Sequence, residues 1–248
     1  MTAIKDRRIF IGLPAFNEEI AIQEVLKKIE SLTKFTPDRF GVIVYNDGST
    51  DSTVEIAKLF AHRIPLTVIG TTENCGLGAA LRGLVNYVVA IGSKEDILVI
   101  MDCDDTHNPE QIMTMIKAID DGHDIVIASR FKSKALTFGV PLRRRLTALG
   151  AMLLFKTLRP ILGVLDYTCG YRAYRVSLLS AAHARFGNEL ITETGFACMV
   201  EFLLKLSALR PKVFEIPLIL RYDLKPTASK MDVGSNIVQL LRLVVRGS

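Results

Sequence analysis

The sequence has few cysteines and no C-x-x-C pair: Cys75, Cys103, Cys169 and Cys198 stand far apart. That excludes a cysteine-built zinc site and a disulfide framework, and it fits a reduced, cytoplasmic setting. Nowhere do about 18 apolar residues run uninterrupted, so no transmembrane helix is expected. The opening MTAIKDRRIF lacks the apolar core of a signal peptide. Basic residues interleaved with aromatics do not occur, and the net charge is only +5, so nucleic acid is not an expected partner. There is no internal repeat and no low-complexity segment.

What is present suits one large domain, because 49% of the 248 residues are hydrophobic. The first half alternates two periodicities. RRIFIGLP reads as a strand stopped by Pro14. Asn17 reads as the cap of a helix with Ile22, Val25, Leu26 and Ile29 at helical spacing. FGVIVYND is a second strand. Gly48 turns the chain, and Ser52 with Glu55 forms a capping box for the next helix. IPLTVIG, DILVIM and DIVIAS are three more strands. GLGAALRGLVNYVVAIG and NPEQIMTMIKAIDD are the helices between them, the latter capped by Asn108 with Pro109 at its first position. Strands alternating with helices imply an α/β fold, a mostly parallel sheet with helices on both faces.

The second half is less regular. LRRRLTALGAMLLFKTLRPILG reads as an apolar helix or helix pair with a basic entrance. LDYTCGYRAYR reads as a loop, TGFACMVEFLLKLSAL as a helix, and VFEIPLILRYDLKPTASKM as a strand followed by a basic loop. SNIVQLLRLVVRGS closes the chain as a helix. Basic residues beside these apolar helices suit a peripheral membrane surface. Packing in the core or in a homo-oligomer is the alternative.

In parallel sheets, ligands bind beyond the carboxyl ends of the strands. Three such ends carry polar clusters: PAFNEE, NDGSTD and DCDDTH. Residues two apart at a strand end project to one side. Asp102 and Asp104 can therefore point together, and their hard oxygens suit Mg²⁺ or Mn²⁺. The plainer reading of this stretch is a helix cap with solvated loop charges.

Taken together, GLPAFNEE, VIVYNDGSTDST, NCGLGAALRGL, VIMDCDDTHNPEQI, DIVIASRF, LRRRLTALGAMLL, LDYTCGYRAYR and YDLKPTASKM resemble the family-2 inverting glycosyltransferases of GT-A fold. The resemblance is strongest to the polyprenyl-phosphate enzymes, the group of dolichol-phosphate mannose synthase. It implies metal-dependent transfer of a hexose from a nucleotide-diphosphate sugar (GDP-mannose or a UDP-sugar) to a polyprenyl or dolichyl phosphate. It implies a catalytic domain over 1–231, with a nucleotide-sugar half at about 1–131 and an acceptor half at about 132–231. Residues 232–248 would be a separate amphipathic helix.

By the same resemblance, Pro14, Phe16, Glu18, Asp47, Asp102, Cys103 and Asp104 hold the nucleotide sugar. Asp102 and Asp104 match the D-x-D metal ligands, with Thr106 as a further oxygen ligand. Asn46 stands where the family has the first acid of D-D-G-S. Gly76 and Gly78 would allow close approach to the nucleotide. Arg130, Arg144 and Lys230 would converge on the acceptor phosphate. Thr227 and Ala228 depart from the family's G-E-S-K, and either Arg221 or Lys225 substitutes for an arginine before that loop. A hydroxyl acceptor would need a general base, for which Asp166 comes first and Asp105 and Glu193 follow. Asp104, Arg130 and Asp166 are thus the expected catalytic residues. A soluble hydroxyl acceptor and a non-catalytic nucleotide-sugar-binding subunit are the competing functions.

Overall fold

The computed structural model describes residues 7–34, 39–226 and 233–246. The five expected strands are present as β1 (Arg8–Ala15), β2 (Arg39–Asp47), β3 (Leu66–Thr71), β4 (Ile97–Ile100) and β5 (Ile125–Ser129). Between them run α1 (Glu19–Lys34), α2 (Thr53–Phe60), α3 (Leu77–Ile91) and α4 (Gln111–Asp120). β3, β2, β1 and β4 are neighbours in that order, all parallel. Every residue of β4 and β5 is buried. An unbroken buried strand requires cover on both faces of the sheet.

The remaining strands and α-helices are β6 (Leu136–Phe138), α5 (Leu142–Leu158), β7 (Arg172–Arg175), α6 (Val176–Phe186), α7 (Cys198–Ser207), β8 (Val213–Pro217), β9 (Ile219–Arg221) and α8 (Val233–Arg246). The large sheet runs β3-β2-β1-β4-β7-β5-β8, and β6 pairs with β9 in a small second sheet. β7 lies antiparallel to both β4 and β5. It corrects the reading of LDYTCGYRAYR as loop throughout. Arg172 hides this strand from a hydropathy pattern, yet its side chain is fully buried. Its guanidinium donates to the carbonyls of Met199 (2.8 Å) and Tyr167 (2.6 Å), which removes most of the cost of burial. α6 follows β7 without a break and was not anticipated either, because no cap or glycine marks its start.

Two expected caps work differently. Ser52 makes no side-chain bond to α2; the Asp51 carboxylate accepts from Thr53 N at 3.0 Å instead. Asn17 sits at φ 51° and its side-chain oxygen accepts from Thr50 N at 2.8 Å, tying the turn after β1 to the turn after β2. The helix expected as a separate C-terminal unit packs on α5. No helix among the described residues is long and apolar enough to cross a membrane.

Candidate active site

Because β1, β2 and β4 are parallel, their carboxyl ends open on one edge of the sheet. A cleft of about 430 Å³ lies there. Pro14, Phe16, Glu18, Asp47, Asp102, Cys103 and Asp104 all line it. The structure thus brings these seven residues to one cleft, with Gly76 beside them.

Asp47 ends β2 and is nearly inaccessible. Its two oxygens accept from Cys75 N (2.8 Å) and Gly76 N (2.9 Å), so it fixes the turn that starts α3. Gly76 has φ +87°, and a Cβ there would lie 2.6 Å from the Thr194 carbonyl oxygen. At Gly78 a Cβ would stand 1.8 Å from the Glu193 carbonyl oxygen. These glycines admit the 193–195 loop, whose Thr194 and Gly195 form the opposite wall of the cleft. Their expected approach to a nucleotide is replaced, at Gly78, by this contact.

The two acids after β4 differ in surroundings. Asp104 Oδ1 accepts from the Thr106 hydroxyl at 2.6 Å, and Oδ2 accepts from the Lys225 ammonium. Burial pushes the Asp104 carboxyl up, but Lys225 outweighs it and holds it below the ordinary value. Burial likewise pushes Lys225 down, and Asp104 reverses the shift. Asp102 keeps about a third of its side chain exposed to the cleft. Enclosure raises its carboxyl, partly offset by His107 and reinforced by Asp104. Asp102 N–H donates to His107 Nδ1 at 3.1 Å, so a neutral His107 carries its hydrogen on Nε2, 3.9 Å from Asp102 Oδ2. The ring stacks on Tyr171 with centroids 4.8 Å apart.

Hard oxygens from two neighbouring acids fit a small divalent cation that takes its remaining ligands from phosphate and water. The Lys225 ammonium already marks Asp104 Oδ2 as a cation seat. Among the described residues no group of three or more His, Cys, Asp or Glu could hold a metal by itself. Asp102 and Asp104 are the pair that fits. Thr106 is buried and its hydroxyl is spent on Asp104, which places it behind that acid.

A second cavity of about 120 Å³ shares Asp102, Arg144, Phe196 and Asn236 with the cleft. Arg130 and Arg144 both line it. Arg130 stands at the end of β5, and Arg144 comes from the first turn of α5, its guanidinium 5.1 Å from the Tyr222 ring centre. Lys230, the third expected cation, lies outside the described residues, as do Thr227 and Ala228. Arg143 and Arg145 are exposed. Arg221 is paired with Asp223 at 2.8 Å, so it is Lys225 that reaches the acids.

Asp166 lines neither cavity and is fully buried. It accepts from Arg130 Nε at 2.8 Å and Nη2 at 2.5 Å, from Arg130 N at 3.0 Å, and from Cys169 N at 3.0 Å. Burial raises its carboxyl, but Arg130 beside it carries it below the ordinary range. Its place is that of an anchor for Arg130, and the expectation of a base gives way for lack of access. Asp105, at φ 63°, turns away from both cavities to pair with Lys28 at 2.5 Å, and Glu193 lines neither cavity.

Asn74, Phe196, Thr168, Asn236 and Gln239 also face these spaces and went unnoticed in the sequence. For Asn236 and Gln239 a signal existed: two amides one helical turn apart on an amphipathic helix.

Residues 10–181 match the model of a family described as glycosyl transferase family 2. The dolichol-phosphate mannosyltransferase of Pyrococcus furiosus is 29% identical over 96% of this chain, which spans 63% of that protein's length. The polyprenol monophosphomannose synthase of Mycolicibacterium smegmatis is 28% identical over 93% of this chain and 83% of its own. Among solved structures, glucosyl-3-phosphoglycerate synthase from Mycobacterium tuberculosis, in complex with Mn²⁺, UDP-glucose and phosphoglyceric acid, superposes with a TM-score of 0.69. It is 23% identical, over 96% of this chain and 80% of that one.

Proposed function

This chain belongs to glycosyl transferase family 2 and has its GT-A fold, and from that membership we propose that it transfers a hexosyl group from a nucleoside-diphosphate sugar to a polyprenyl phosphate. One observation carries the choice of acceptor. Arg130 and Arg144 share a cavity beside Asp102 whose other walls include Val140, Ala148, Leu218 and Leu240. Two guanidinium groups at an apolar-walled opening suit a phosphate with a hydrocarbon tail.

On this reading Pro14, Phe16 and Asp47 enclose the nucleoside. Asp102 and Asp104 hold a divalent ion, which would neutralise the departing diphosphate when bound. Lys225, paired with Asp104, adds positive charge beside them. The acceptor phosphate oxygen attacks the anomeric carbon as the bond from that carbon to the diphosphate oxygen breaks, with inversion. A phosphate monoester, with a second pKa of about 6, is already anionic near neutral pH. No base need remove a proton, which agrees with the inaccessibility of Asp166. Arg130 and Arg144 lower the repulsion between acceptor and donor and hold the nucleophile in line.

The proposal extends to a peripheral position on a membrane. Leu142, Leu146, Leu149 and Leu153 form an exposed stripe on α5, and Ile237, Val238, Leu241 and Val245 are exposed on α8. Ala148 and Leu240, from these same helices, wall the second cavity. The phosphate seat thus lies beside the helices that would touch lipid.

The test is a screen of GDP-mannose, UDP-glucose and related donors with Mg²⁺ or Mn²⁺, with and without a polyprenyl phosphate, read as nucleoside diphosphate release. Release that depends on the lipid phosphate is expected. Release with a hydroxyl acceptor and none with the lipid phosphate would overturn the proposal.

A further inference from the structure

β8 carries a buried acid that touches neither cavity. Glu215 is 2% exposed, and among the described residues its Oε2 has no hydrogen-bond partner. A carboxylate held in that state is costly, so its position calls for a compensating role. Its Oε1 accepts two successive backbone N–H groups, those of Leu165 and Asp166, each at 2.7 Å. β8 lies parallel to β5, with Glu215 opposite Ile127 and Pro217 opposite Ser129. Glu215 therefore fastens the 165–166 backbone to the same strand pair that ends in Arg130.

The connection continues through Asp166. Its carboxylate takes Arg130 N, Nε and Nη2, and Nη2 also donates to the Thr168 hydroxyl at 2.5 Å. Nε has a single hydrogen and Nη2 has two, so all three are committed. Nη1 remains for whatever enters the cavity that Arg130 lines. A planar guanidinium held at two of its three nitrogens has no freedom to turn. The direction of Nη1 is set by the place of Asp166, and the place of Asp166 is set by Glu215.

We infer that Glu215 is a positioning residue that acts through Asp166 to aim the Nη1 edge of Arg130 at the acceptor phosphate. The inference rests on the polyprenyl-phosphate reading above, and its test separates the two. Glu215→Asp keeps the charge but shortens the side chain by one methylene, drawing the acceptor oxygen back from both N–H groups. Glu215→Gln keeps an oxygen in place with weaker hydrogen bonds. Arg130→Ala removes the group being aimed.

KM for a polyprenyl phosphate and for the nucleotide sugar are measured separately. Glu215→Asp should raise the acceptor KM about tenfold, with the donor KM held within about twofold. Glu215→Gln, whose hydrogen bonds are weaker, should raise the acceptor KM by only about threefold. Arg130→Ala should raise the acceptor KM at least as far as Glu215→Asp. Adding Glu215→Asp to Arg130→Ala should cost nothing further, because the two act as one unit. Additive losses, or acceptor and donor KM rising together, overturn the inference and leave Glu215 a structural residue. If Glu215→Asp does not fold, Glu215→Gln carries the cycle. A selective threefold rise that vanishes without Arg130 supports the inference, and a wild-type acceptor KM overturns it. A flat response to Arg130→Ala overturns the acceptor reading itself, and the inference with it.

Discussion

The larger cleft takes Asp47, Asp102 and Asp104 from the ends of β2 and β4, the two parallel strands that flank β1, whereas the smaller cavity takes Arg130, Arg144, Thr168 and Leu240 from a strand end, two helices and a loop. In the first case parallel strands deliver the acids to one edge, and bonds to Cys75 N and Gly76 N for Asp47 and to the Thr106 hydroxyl for Asp104 finish the placement. In the second the placement depends on side chains that bind other side chains or loop backbone. Arg130 hangs on Asp166, and Asp166 on Glu215; a similar clamp also serves the cleft, where Glu201 accepts from Thr192 N and Glu193 N at 2.8 Å and holds the loop that carries Thr194 and Gly195. A strand end tolerates change around it. A relay fails at any link.

The largest effect that would sharpen this contrast is Asp104→Asn. It leaves the sheet intact while removing one carboxylate charge from the cation seat. Turnover should fall about a hundredfold or more, with an unchanged far-UV circular dichroism spectrum. EDTA should reproduce the loss, and full turnover in EDTA would refute the metal. Next comes Arg144→Ala, on the other side of the shared wall. It should raise the acceptor KM roughly tenfold, an apparent loss of about 1.4 kcal/mol, while donor affinity by calorimetry stays put. Equal losses in both would break the division between the two spaces.

A smaller effect is expected from charge on the exposed stripe. Leu149→Asp with Leu153→Asp should lower flotation with anionic liposomes several-fold, each lost basic or apolar contact being worth about 1 kcal/mol. The same variant should retain wild-type turnover on a short-chain, water-soluble acceptor phosphate. Unchanged flotation would point to a homo-oligomer on that face.

The smallest effect is on pH and stability. Burial raises the Glu201 carboxyl, but Lys205, Thr192 and the loop N–H groups outweigh it, so its folded pKa lies below the unfolded one. A lowered folded pKa means the stabilisation is present above the unfolded value, near 4.3, and is lost as pH falls through the folded value. Glu201→Gln should lower Tm at pH 7 by roughly 2–4 °C. It should also flatten the fall in Tm as pH drops below about 4.3, the unfolded value. Parallel pH profiles for the two proteins would show that the clamp contributes nothing.

Strand ends are the part of a site that sequence reveals best. An apolar run followed at once by Asp102 and Asp104 announces both the strand and the place where it stops. The same pattern located Pro14, Phe16 and Asp47. Arg144 and Lys225 were singled out only through the family resemblance, since composition alone does not tell Arg144 from exposed Arg143 and Arg145. β7 was hidden because a buried arginine reads as surface. Glu215 lay within a strand that was anticipated, but a single acid in an apolar run does not say what it holds.

The sequence by itself determined the alternation of strands and helices, the parallel order they imply and the acids at the edge where those strands finish. It could do so because periodicity, turn residues and strand termination are local properties, written within a few positions of one another. Tertiary structure alone decided that Asp166 is buried behind Arg130, that Lys225 reaches Asp104, and that Asn236 and Gln239 of the last helix line the cleft. Those facts depend on pairs such as Arg130–Asp166 and Asp104–Lys225, 36 and 121 positions apart. Only burial in one folded core brings them within hydrogen-bond distance.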